Sequence, residues 1–211
     1  MSDNFLQIQK EYLREAWYRP AEEMEAVLPD RRQGDCFYFQ AFGEPCELYP
    51  QEIILGGHRL TGPEGILIAL YALHVQKEEP QLHPLKSFKQ FPGGMAYYGT
   101  FSAHAEKALH PYVPILHQCQ QELLTRFSGH INANPPIGDF SFTLFSLPRL
   151  PLYYTFYLPD EEFPASVTCL FPSNATRFMP VDGLADTAEY TTRKMIKVVT
   201  EVTLIRKSST F

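Results

Sequence analysis

The chain has 211 residues, 45% hydrophobic and 20% charged, with 24 acidic against 18 basic side chains and a net charge of −6. A globule of this size withdraws about 70% of its unfolded surface from water, so it needs no disulfides to keep its core. No basic cluster exceeds the pair Arg31–Arg32, which excludes a nucleic-acid or anionic-membrane surface, since both need concentrated positive charge.

Helical spacing at Phe5, Ile8, Tyr12 and Leu13 predicts a helix, with a break at Pro20 and a second short helix before Pro29. The charges scattered through residues 1–17 leave no apolar run of signal-peptide length. Cys36–Phe42 and Glu47–Leu55 read as strands separated by Gly43, Glu44 and Pro45. After Gly56–Gly57, Thr61 and Glu64 have the spacing of a capping box, and Pro63 suits the first turn of a helix. The run Ile66–Leu73 is apolar on every face, which predicts a central helix ending before Pro80; it is far short of the roughly 20 residues a membrane span needs. Pro92–Gly93 predicts a type II turn, and Met95–Phe101 a strand. Ser102 is the expected cap of a helix running to about Phe127, split at Pro111 and Pro114. Phe140–Phe145, Leu152–Leu158 and Val167–Phe171 read as three more strands, and Asp182 as the cap of a final helix through Ala185, Ala188 and Met195.

Strands grouped in this way predict an α+β fold: one mainly antiparallel sheet of about six strands with four or five helices, not a doubly wound parallel sheet. The whole chain, residues 1–211, reads as a single domain with an N-terminal helical segment over 1–30.

Five features carry candidate chemistry. Asp160, Glu161 and Glu162 form an acidic corner that could hold a hard cation or act as general acid or base; the simpler reading is a solvated turn. Adjacent extended residues point in different directions, so the three carboxylates do not converge easily. Arg149, between Pro148 and Pro151, could present its guanidinium to a carboxylate or phosphate, or pair with Asp139 or the acidic corner. Gly93 and Gly94 could admit a ligand to the backbone, though turn geometry accounts for them, as it does for Gly56–Gly57. Tyr97 and Tyr98, with Tyr153–Tyr154 and Phe156–Tyr157, place rings on both strand faces, as core on one and as cover or pocket lining on the other. Cys36, Cys46, Cys119 and Cys169 are isolated and read as reduced thiols of a cytoplasmic protein; the histidines lack metal-ligand spacing. No nucleotide, nucleophile-elbow or zinc-protease motif occurs, and the sequence names no cofactor.

Phe91–Tyr98 (FPGGMAYY), Gly138–Asp139, Leu147–Leu152 (LPRLPL), Asp160–Pro164 (DEEFP), Leu170–Phe171 and Met179–Pro180 occur in that order. Taken together, this set resembles the prokaryotic family of domain of unknown function 3786, common in anaerobes, over about residues 63–195. The resemblance implies a cytoplasmic protein and carries no activity. Some relatives are fused to a four-cysteine iron–sulfur module, which these scattered cysteines do not reproduce. Relatives often show Trp and Gly where this chain has Tyr157, Leu158 and Pro159 before the acidic corner. The expectation is an accessory protein binding a small ligand, a cofactor or a protein partner. The competing expectation is an enzyme using the acidic corner with a divalent cation or anionic substrate.

Overall fold

The computed structural model describes residues 2–28, 31–132 and 138–208. Two antiparallel sheets of five strands each are flanked by helices, an α+β architecture. The expected strand grouping holds, but the strands divide between two sheets instead of sharing one.

The chain opens with α1 (Ser2–Ala16) and α2 (Ala21–Val27), broken at Pro20 as expected; Pro29 lies outside the described residues. The first sheet is a meander of β1 (Arg31–Gln33), β2 (Cys36–Ala41), β3 (Glu44–Leu48), β4 (Ile53–Leu55) and β5 (His58–Arg59). The strand expected over Glu47–Leu55 is two strands folded around Pro50, because Tyr49 N–H donates to Glu52 O at 2.9 Å and reverses the chain. Phe42 and Gly43, with φ of 51° and 76°, form the two-residue turn between β2 and β3. A left-handed Phe is costly, yet this ring is fully buried and edge-on to Tyr190, and Phe42 N–H donates to Ser146 O at 2.7 Å, tying the two sheets together.

Helix α3 (Pro63–His74) buries residues on several faces, as its apolar run predicts. The expected capping box is absent: Gly62, not Thr61, is the N-cap, so Glu64 stands one position short of the box register. Pro63 does occupy the first turn. α1 packs against α3, and Arg19 just beyond α1 donates to the α3-terminal carbonyls of Ala72 (2.6 Å) and Val75 (2.8 Å).

The second sheet takes the order β6 (Lys86–Ser87), β10 (Ser166–Phe171), β9 (Leu150–Tyr157), β8 (Phe140–Leu147), β7 (His130–Ile131). Between β6 and β7 the chain is helical. The segment expected as a strand over Met95–Phe101 is helix α4 (Gly94–Phe101). Its aromatic residues suggest strand, but its inward positions, Gly94, Tyr98 and Phe101, fall at i, i+4 and i+7. Ser102 does not cap the next helix; it continues α4 with helical φ and ψ of −61° and −38° into a π-turn over Ser102–Glu106. A 3₁₀ turn at Lys107–Tyr112 follows, then α5 (Val113–Gln118) and α6 (Gln120–Arg126), so Pro111 and Pro114 interrupt the helix as expected.

Helix α7 (Val181–Ser208) runs across the structure against α3, α4, α6 and β8. Asp182 lies in its first turn instead of capping it. A continuous hydrophobic core joins residues of both sheets and the helices. No described helix is long and apolar enough to cross a membrane.

Candidate ligand groove on the second sheet

Strand period 2 divides the second sheet into two faces. Phe142, Tyr154 and Cys169 form one cross-strand row, and Phe140, Phe156 and Val167 the next; all face the core. The intervening rows, Thr143–Tyr153–Leu170 and Ser141–Thr155–Thr168, face the other way. On that side Tyr153, Thr155, Tyr157, Thr143, Thr168 and Leu170 floor a groove of about 820 Å³. Leu82, His83 and Leu85 ahead of β6, with His130, Ile131 and Asn132 at β7, form its walls.

The lining contains no Asp, Glu, Lys or Arg. Its polar groups are hydroxyls, an amide and two imidazoles set among tyrosine rings and aliphatic side chains. Thr143 Oγ1 donates to Asn132 Oδ1 at 2.9 Å, and Tyr153 OH stands 3.5 Å from Ser141 Oγ. A site of this size and make-up suits a small molecule held mainly by apolar and ring contacts, with a few hydroxyls to orient it.

Of the residues singled out in the sequence, Tyr153 and Tyr157 line this groove, whereas Asp139, Arg149, Asp160, Glu161, Glu162, Gly93, Gly94, Tyr97 and Tyr98 do not. Asp139 Oδ2 accepts the Leu158 N–H at 2.6 Å, clamping one end of the β8–β9 hairpin. Asp160 Oδ1 accepts the N–H groups of Glu162 (2.8 Å) and Phe163 (2.7 Å), a self-contained Asx turn that leaves Glu161 and Glu162 exposed. Among the described residues no group of three or more His, Cys, Asp or Glu side chains is placed to hold a metal ion.

Arg149 sits at the opposite end of the hairpin, about 25 Å away for a strand of this length. The ion pair expected with Asp139 or the acidic corner is therefore not formed. Arg149 instead pairs with Glu79 Oε1 at 2.9 Å and donates to the carbonyls of Glu78 (3.0 Å) and Ala26 (3.1 Å), while its own N–H donates to Tyr71 OH at 2.9 Å. It is a rivet between α2, the segment after α3 and the β8–β9 turn. Arg149 and the acidic corner are therefore not brought together in the fold.

Gly93 (φ 81°, ψ −12°) and the 2.9 Å bond from Gly94 N–H to Phe91 O form the expected type II turn. A Cβ on Gly94 would run into the Phe88 carbonyl, so this glycine is required by packing. Tyr98 stacks on Phe101 with Lys89 Nζ 5.7 Å from its ring, whereas Tyr97 is 44% exposed.

Behind the sheet, the Glu106 carboxylate in the π-turn accepts the Cys169 N–H of β10 at 3.1 Å, and burial raises its pKa against the opposing pull of that bond and of Ser102. Burial also pushes the Tyr154 phenol and the Cys169 thiol well up, keeping both neutral. Tyr154 and Cys169 belong to the core, and Glu106 is partly buried behind it.

Alternation of the tyrosines along β9 is visible in sequence, but which row stays open is not. Leu82, His83, His130 and Asn132 come from segments distant in sequence from β9 and carry no motif.

The family model for Domain of unknown function (DUF3786) matches residues 21–194, well over half of the chain. The chain belongs to this DUF3786 family. Every residue lining the groove falls inside the DUF3786 match. No curated protein and no solved structure matches the chain.

Proposed function

We propose that the protein is a small-molecule-binding module whose ligand is a flat, uncharged, largely apolar compound seated on the outer face of the second sheet. The observation that supports this is the charge-free groove of about 820 Å³ floored by tyrosines and threonines. A charged ligand would lose its hydration there without a counter-charge, whereas a flat ring gains contact with Tyr153 and Tyr157. A cytoplasmic location belongs to the same reading, supported by four free, buried cysteines that a reducing compartment preserves.

The test is titration of the intact protein with N-phenyl-1-naphthylamine, an uncharged flat fluorophore. Saturable enhancement is expected, with at least tenfold weaker binding in Thr168→Phe, which fills the floor from an exposed position outside the core. Absent enhancement, or unchanged affinity in that variant, overturns the reading.

A further inference from the structure

A second cavity, of about 750 Å³, runs along α1 and just past its end, where it is lined by Leu6, Lys10, Glu11, Arg14, Trp17 and Tyr18. Leu6, Lys10 and Arg14 follow one another at intervals of four and so share a helix face, and Trp17 and Tyr18 lie in the turn just beyond the helix end. The facing wall is the Pro50–Gln51 turn, closed by the 2.9 Å bond from Tyr49 N–H to Glu52 O. All the helical residues precede residue 21, where the family match begins.

Arg19, Arg32, Arg59, Arg149 and Arg177 each hold a carboxylate within 3.1 Å. Arg14 reaches Glu11 only at 3.9 Å, beyond hydrogen-bonding distance, between two exposed side chains. The Lys10 side chain makes no ion pair or hydrogen bond among the described residues. In a chain with six more acids than bases, two cations one turn apart and lacking close carboxylates are positioned for an outside anion. The adjoining surface is aromatic: Trp17 is held edge-on to Phe37 at 5.8 Å, and Tyr18 is 80% exposed.

The geometry points to a binding site for a small flat carboxylate, its ring against Trp17 and Tyr18 and its carboxylate shared by Arg14 and Lys10. The Arg14 guanidinium supplies paired donors that match a carboxylate, and Lys10 adds a point charge. This site is separate from the sheet groove, whose lining carries no charged side chain.

Trp17 is the chain's single tryptophan, so its fluorescence reports on this cavity alone. The experiment titrates the intact protein with benzoate, benzamide and benzylammonium. Benzoate is expected to give a saturable change in Trp17 fluorescence that weakens as salt is raised, with benzamide at least tenfold weaker and benzylammonium silent. The double substitution Lys10→Gln and Arg14→Gln, on an exposed helix face, is expected to cost the benzoate response at least tenfold in affinity while leaving the far-UV circular dichroism unchanged. Equal binding of benzamide, a benzoate response unaffected by the double substitution, or no response at all overturns the site.

Discussion

The two faces of the second sheet share the same three strands and meet opposite fates. On the core side, Phe140 and Phe156 stack at 4.5 Å, and Phe142 and Tyr154 continue the ring cluster beside Cys169. One residue along each strand, tyrosines, threonines and a leucine form the groove floor, with Thr143 and Thr155 nearly covered and Thr168 exposed. The sequence of β9, LPLYYTFY, carries two aromatic rings on each face. Burial is therefore decided by what packs on each face, with α7 against β8 and the helical segment behind β10, and not by hydrophobicity alone.

The largest expected effect breaks that comparison directly. Phe156→Ala should lower unfolding free energy by about 3–5 kcal/mol through the cavity it leaves, whereas Tyr153→Ala on the floor should stay within about 1 kcal/mol. Urea unfolding of the two variants measures the difference; equal losses would show that the floor is core. Next in size is Arg149, which secures the hairpin end from which both faces take their register. Arg149→Met should cost about 2–3 kcal/mol, since the carbonyls of Ala26 and Glu78 and the carboxylate of Glu79 lose a charged donor. A loss below about 0.5 kcal/mol in the same assay would mean that the hairpin stands without its rivet.

The smallest effect concerns Glu106, behind the core face. Because burial raises its folded pKa, the stability it contributes is present below the unfolded carboxyl value of about 4.3 and is lost as pH rises through the folded value. Glu106→Gln keeps an oxygen for the Cys169 N–H and removes the buried charge. The variant should therefore have the higher urea midpoint at pH 7, with its advantage shrinking toward about pH 4. An advantage that is the same at both pH values would place the cause outside this ionisation.

Much of the framework was legible residue by residue. Pro20 divides α1 from α2, Pro92–Gly93 makes its type II turn, and the runs beginning at Phe140, Leu152 and Val167 are strands, because proline, glycine and alternating side chains act on their own backbone. Met95–Phe101 was misleading, since its rings favour strand until Phe101 has Phe88 and Phe171 to pack against. Of the site residues, Asp139, Asp160 and Arg149 were conspicuous for a structural reason: Asp160 closes its own turn, Asp139 clamps the hairpin, and Arg149 ties carbonyls far away in sequence.

The amino-acid sequence by itself determined the fold class, the element types in most segments and the family, all consequences of local conformational preference and patterning. Only the tertiary structure decided which face of β9 stays open, that Arg149 stands a hairpin's length from the acids, and that Lys10 and Arg14 lack close carboxylate partners. Those outcomes depend on contacts between residues far apart in the chain, and no local pattern encodes the distance between two side chains that meet only after folding.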